Sequence, residues 1–121
     1  MSRRVLIIED EPAMRLLLQD FLETVGYEVL TAPDGQTALD IADREEFGVA
    51  FVDINLPDIT GDEVMRVMRD RGVESKLIVL SGNLPETYEH RIADLEIFEV
   101  LEKPVDLLVI SDAAERALAP A

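Results

Sequence analysis

Val49-Ala50-Phe51-Val52-Asp53-Ile54-Asn55-Leu56-Pro57 is the stretch from which the rest of the chain is read. An apolar run ends abruptly on a carboxylate, and a turn-forming proline follows. The run is short and partly β-branched or aromatic, so it predicts a buried strand over residues 47–52, ending at Asp53. In an open parallel sheet, ligands bind beyond the carboxyl ends of the strands. Asp53 is expected at such an end.

Working outward, Val5-Leu6-Ile7-Ile8 and Leu77-Ile78-Val79-Leu80 are continuous apolar runs, the pattern of strands buried on both faces. The first ends on Glu9-Asp10-Glu11, the second on Ser81-Gly82-Asn83. Residues 27–32 predict a further strand, and residues 98–101 a last one that ends on Glu102-Lys103-Pro104. Helical stretches alternate with these strands. Pro12 opens one whose face is Met14, Leu17, Leu18, Phe21, Leu22 and Val25, with Gly26 as its stop. Asp34 caps a second, running to about residue 45 with Ala38, Leu39 and Ala42 inward. Thr60-Gly61-Asp62-Glu63 matches a capping box before a third, which buries Val64, Val67 and Met68, with Met65 alongside. Pro85 begins a fourth with Tyr88, Ile92 and Leu95 on one side, and a fifth covers residues 105–118. A strand–helix unit repeated five times implies a parallel sheet with helices on both faces, joined by right-handed crossovers.

At 121 residues the chain predicts one domain, residues 1–121, without an output domain. It has no cysteine, which excludes disulfides, thiolate metal sites and cysteine nucleophiles. Its few apolar residues before Glu9 are too short for a signal peptide, and no run reaches membrane-spanning length. A soluble, cytoplasmic protein is the expectation. The formal net charge is -15, from 26 acidic and 11 basic residues, a field that repels phosphate backbones and argues against direct nucleic-acid binding.

Four strands thus end on polar groups of distinct chemistry: Glu9 and Asp10, Asp53, Ser81, and Lys103. If the first and third strands are neighbours, three carboxylates converge where strand order reverses. Bare carboxylates in such proximity repel and raise one another's pKa, which a hard divalent cation relieves. Mg²⁺ favours a few carboxylates, water and phosphate oxygens.

This set resembles the receiver domain of bacterial response regulators: Glu9-Asp10 after the first strand, Asp53-Ile54-Asn55-Leu56-Pro57 with Gly61 after the third, Ser81 after the fourth and Lys103-Pro104 after the fifth. The likeness covers essentially the whole chain, and its strength lies in all the motifs occurring in order. It implies a flavodoxin-like (βα)5 doubly wound fold with parallel strand order 2-1-3-4-5. It implies that Asp53 takes a phosphoryl group from a sensor histidine kinase or a histidine phosphotransfer protein. Asp10 and Asp53 would bind Mg²⁺ by side chain, Asn55 by its backbone carbonyl and Glu9 through water. Ser81 and Lys103 would contact phosphoryl oxygens, and the Lys103–Pro104 bond would be cis. The domain would not be an enzyme beyond its own phosphorylation and dephosphorylation. It would signal by a conformational switch to a downstream protein effector, as a stand-alone regulator or as a fragment of a longer one. The last two helices and fifth strand are the family's usual surface for a partner or a homodimer.

The sequence departs from the pattern in several places. Glu9 stands where Asp is common, and Gly82 where Ala is usual. Val100 replaces the aromatic residue three positions before the lysine, and alternation puts Phe98 on the same strand face as Val100. Glu96-Ile97-Phe98-Glu99 lacks the usual Gly-Ala. Asn55 and Asn83 occupy the positions flanking the attacking water. His90 reads as a solvated helix residue. Two other readings use the same residues: a pseudo-receiver that only binds proteins, and a small Mg²⁺-dependent phosphatase with an Asp nucleophile. The second is disfavoured, because such enzymes usually carry the nucleophile after the first strand with another Asp two residues on.

Overall fold

The apolar runs become the centre of a sheet because only burial on both faces satisfies them. In the computed structural model, which describes residues 2–82 and 90–120, β1 (Arg4–Ile8), β2 (Glu28–Ala32), β3 (Val49–Asp53), β4 (Lys76–Ser81) and β5 (Glu99–Glu102) form one sheet of order β2-β1-β3-β4-β5. All neighbours are parallel. This is the flavodoxin-like order expected. Helices α1 (Pro12–Thr24) and α4 (Leu107–Leu118) cover one face, and α2 (Gly35–Arg44) and α3 (Gly61–Asp70) the other. Val5, Ile7, Val49, Phe51, Ile78 and Leu80 point to the first layer, while Leu6, Ile8, Ala50, Val52, Leu77 and Val79 point to the second. The helix expected from Pro85 falls largely outside the described residues, as do Asn83 and Tyr88. Residues 90–92 are helical, and Ile92 and Leu95 are buried in the α2–α3 layer. Among the described residues no helix is long and apolar enough to cross a membrane.

Several expectations need correction. β3 starts at Val49 rather than residue 47 and includes Asp53, so the acid is held within the ladder. Thr60 precedes α3 but makes no side-chain cap, and Glu63 is exposed, so no capping box forms. Met65 is fully buried in α3, and Val67 only partly. On α1, Leu18 and Leu22 form the buried centre, whereas Leu17 and Val25 are exposed. The apolar arc of that helix is wider than its contact with the sheet. α4 starts at Leu107, where Asp106 accepts the Leu108 amide at 2.8 Å, not at residue 105.

The fifth strand shifts by one residue, to Glu99–Glu102, and Phe98 lies just outside it. Phe98 packs with Leu101 in the α1–α4 layer, under the Arg116 guanidinium. Val100 instead lines a cavity beside Ile92 and Ile97, so the two side chains lie on opposite faces. The alternation argument fails because Phe98 is not part of the strand.

The turn into β5 is braced by Arg69. Its guanidinium donates to the carbonyls of Leu95 at 2.8 Å, Glu96 at 3.3 Å, Val73 at 2.8 Å and Ser75 at 2.9 Å. Glu96 is held there at φ 56°, a left-handed conformation unfavourable for a residue with a Cβ. Glu96→Gly is therefore expected to stabilise the fold by about 1 kcal/mol, read as a higher denaturant midpoint at unchanged slope. An unchanged or lower midpoint would show that Glu96 is not strained.

Candidate functional site

The β1–β3 crevice is the centre of the site. Ile8 pairs with Val52, so the residues that follow, Glu9-Asp10 and Asp53, emerge side by side. Carboxylate oxygens of Glu9, Asp10 and Asp53 all lie within 4.8 Å of one another. Glu9 is wholly buried and Asp53 is 4% exposed, while Asp10 is open to solvent. Backbone bonds fix the strand ends: Glu9 N–H donates to the Ala32 carbonyl at 3.0 Å, and Ile54 N–H to that of Leu80 at 3.2 Å. Arg15 donates to the Glu9 carbonyl at 2.9 Å, securing the turn from behind.

Lys103 reaches in from the end of β5. Its Nζ donates to Glu9 Oε1 at 2.9 Å and Asp53 Oδ2 at 3.0 Å. The other oxygen of Asp53 accepts the Asn55 amide at 3.0 Å. Lys103 N–H in turn donates to the Ser81 carbonyl at 2.8 Å, tying β5 to β4, and the Lys103–Pro104 bond is cis. Gly61 packs under the acid: a Cβ there would lie 2.6 Å from the Asp53 carbonyl oxygen and 2.8 Å from Ile54 Cα, so the approach of α3 to β3 requires glycine.

The electrostatics divide the acids into unlike members. Burial, then the neighbouring Asp53, push the Glu9 carboxyl up to about 7, against the pull of Lys103. Burial also acts to raise Asp53, but Glu9, the Asn55 amide and Lys103 outweigh it and hold Asp53 below its ordinary range. Lys103 loses some preference for its charge through burial, yet Glu9 and Asp53 more than restore it and leave its pKa raised. Asp53 is thus the ionised member at neutral pH, and Glu9 the one that shares its proton.

Among the described residues, two buried side-chain polar atoms have no hydrogen-bond partner: Glu9 Oε2 and Ser81 Oγ. An orphaned carboxylate oxygen within a cluster of three acids is a donor set suited to a hard cation. Glu9, Asp10 and Asp53 therefore fit a hard cation such as Mg²⁺. Ser81 lies one residue beyond Leu80, the register partner of Asp53. Its hydroxyl does not join the acid–lysine network. It lines a cavity of about 530 Å³ with Ile92, Ala93, Ile97 and Val100. Among the described residues, the nearest neighbour of a Cβ at Gly82 would be Lys103 Cβ at 4.0 Å. His90 is exposed on a helical turn. Sequence reasoning missed Arg15 and Arg69, which act through distant backbone carbonyls and leave no motif.

The fold and the edge cluster together define a flavodoxin-like module with an acidic pocket at the carboxyl ends of its strands. A family model described as the response regulator receiver domain matches residues 5–115, and the chain belongs to that family. Among curated proteins, the sensor histidine kinase RcsC of Escherichia coli is 30% identical over 106 residues, covering 88% of this chain but 11% of that protein. The chemotaxis protein CheY4 of Vibrio cholerae superposes with a TM-score of 0.90 at 26% identity, over 98% of this chain and all of that one. The response regulator TrrA of Thermotoga maritima, solved in complex with Mg²⁺ and BeF, superposes with a TM-score of 0.83 at 28% identity, over 98% of this chain and 100% of that one. Receiver domains are signalling modules of two-component systems that bind Mg²⁺ at an acidic pocket.

Proposed function

We propose that Asp53 accepts a phosphoryl group from a phosphohistidine of a sensor kinase or phosphotransfer protein. The observation that carries this is the ionised Asp53 between Lys103 and an acid pair with an orphaned oxygen. An Asp53 carboxylate oxygen attacks phosphorus; the new P–O bond forms as the P–N bond breaks. The electron pair returns to the imidazole nitrogen, which is then reprotonated. Such a transfer needs chiefly positioning and neutralisation of the phosphoryl oxygens. Lys103 is already 3.0 Å from Asp53 and turns to a phosphoryl oxygen once the acyl phosphate forms. Mg²⁺, held by Glu9, Asp10, Asp53 and the Asn55 carbonyl, would supply the remaining positive charge. Ser81, buried and without a partner among the described residues, gains an acceptor when a phosphoryl oxygen arrives, and its movement biases the end of β4 towards an effector-binding state. The same reading serves a stand-alone regulator and one module of a longer protein. The test is intact mass after incubation with Mg²⁺ and a small acyl phosphate. One phosphoryl group should be gained, and none in the presence of a chelator. No gain by the folded protein would overturn the reading.

A protein donor would rest on the rim beside the second turn of α1 and the first turn of α4, where Leu16 and Leu17 are 57% and 47% exposed and Leu108 is 73% exposed. An apolar contact of that kind predicts that Leu108→Asp slows transfer from a phosphorylated donor protein about tenfold, while labelling by the small acyl phosphate is unchanged. Equal slowing with both donors would remove the rim from the account.

A further inference from the structure

The seven residues between β3 and α3 carry the Asn55 carbonyl, and few bonds hold them. Gly61 N–H donates to the Ile54 carbonyl at 2.9 Å, and Asn55 N–H to Asp53. Pro57 has no amide hydrogen to give. The outer part of the loop is fixed from a distance: Asp58 Oδ1 accepts the Gly35 amide and Oδ2 the Gln36 amide, each at 2.9 Å.

These are the first two amides of α2, which already has an N-cap. Asp34 Oδ1 accepts the Thr37 amide at 2.7 Å, and the Asp34 carbonyl accepts Ala38 N–H at 3.2 Å. The amides taken by Asp58 are the pair that water usually satisfies at a capped helix. So the added bonds do more to tie the loop to α2 than to start the helix. A second feature points to the same junction. A Cβ at Gly35 would lie 2.3 Å from Ile59 Cγ1 and 2.8 Å from Val64 Cγ2, so position 35 lacks a side chain where the loop closes on α2. The two backbone bonds also hold the Asp58 carboxyl below its ordinary pKa.

We infer that Asp58 is a positioning residue for the metal site: its clamp on Gly35 and Gln36 aims the Asn55 carbonyl and sets the affinity for Mg²⁺. This rests on the receiver reading above. Groups that orient a ligand from outside typically alter metal affinity by ten- to a hundredfold, and the lower end suits a carbonyl held through three residues of backbone. The experiment is calorimetric titration of the full chain with Mg²⁺, using wild type, Asp58→Ala, Asp58→Asn and Asp34→Ala. Asp58→Ala should weaken binding about tenfold. Asp58→Asn, which keeps one acceptor oxygen without the charge, should recover most of that loss. Asp34→Ala removes the other cap from the same helix, and should lower the melting temperature yet leave the affinity within about twofold. Mg²⁺ should also slow hydrogen exchange at the Gly35 and Gln36 amides of the wild type, and not in Asp58→Ala.

Asp58→Ala binding Mg²⁺ like wild type would overturn the inference. So would Asp34→Ala losing as much affinity, which would mark a general effect of an uncapped helix. So would Asp58→Asn matching Asp58→Ala, which would mark charge alone. Wild type that binds no Mg²⁺ would overturn both the inference and the receiver reading. A wild type that binds it, with an unaffected Asp58→Ala, would overturn the inference only.

Discussion

Asp53→Asn protein, incubated with Mg²⁺ and a small acyl phosphate, is expected to gain no phosphoryl group while the wild type gains one. The substitution removes the proposed nucleophile and disturbs little else. An amide at position 53 keeps an oxygen for the Asn55 N–H, now 3.0 Å from Asp53 Oδ1. Lys103 retains Glu9 at 2.9 Å. Burial still lifts the Glu9 carboxyl, but the part of the rise due to Asp53 is lost, so Glu9 falls part of the way back towards the ordinary carboxylate range. Loss of one ion pair and loss of one repulsion act in opposite directions, and stability should move by no more than about 1 kcal/mol. A melting curve close to wild type would establish that the lost chemistry is not lost folding. An amide oxygen is a far weaker nucleophile than a carboxylate, so the effect on labelling is expected to be complete rather than graded. Labelling of Asp53→Asn at the wild-type rate would place the acceptor elsewhere and dismantle the proposed function.

How far the sequence reveals this site depends on the kind of signal each residue leaves. The three central strands are legible because burial on both faces demands uninterrupted apolar residues, and a charged residue ending such a run stands out. That is why Glu9, Asp10, Asp53 and Ser81 can be picked from the sequence, while Lys103 is marked by its motif with Pro104, and the fold brings the acids and the lysine together. The edge of the sheet is less legible. β5 alternates between half-buried and exposed residues, so no run marks its start, and Phe98 is misassigned to it. Thr60 and Glu63 have the spacing of a capping box, but Thr60 makes no side-chain cap. Local pattern cannot reveal that. The residues that hold the site from outside are the least legible. Arg15 bonds across six positions to a carbonyl, Asp58 across 23, and Arg69 across 26. Their partners are backbone groups, which every residue carries, so no pairing of residue types announces them. The opposite shifts of Glu9 and Asp53 are likewise invisible: they depend on the burial of Glu9 and on how Lys103 and the Asn55 amide meet Asp53, contacts that the fold alone makes.

Lys103→Met should destabilise the metal-free protein by an amount that grows with pH, from about 1 kcal/mol at pH 5 to about 2 kcal/mol at pH 8. Methionine keeps most of the side-chain volume and removes the charge that faces Glu9 and Asp53. The direction follows from the two acids separately. Glu9 has its folded pKa raised from 4.5 to about 7, so the folded state holds its proton more tightly than the unfolded chain does. Its contribution to stability is complete below pH 4.5 and is lost as pH rises through 7, even in the wild type. Without Lys103 the Glu9 carboxyl rises further, and the loss continues above pH 7. Asp53 behaves oppositely: its folded pKa is depressed, and the stability it contributes is present above 3.8 and lost as pH falls through its lower, folded value. Removing Lys103 withdraws part of that depression, which accounts for the smaller cost at pH 5. Urea midpoints at several pH values, converted with a common slope, read the trend directly. Mg²⁺ should restore part of the difference, since a cation that binds only the folded state stabilises it by mass action. Labelling of Lys103→Met by the acyl phosphate should fall about a hundredfold, because one of the two positive groups facing the transferred oxygens is gone. A cost that stays flat between pH 5 and pH 8 would mean that Lys103 does not counter Glu9 in the folded state, and that the division of roles between Glu9 and Asp53 is wrong.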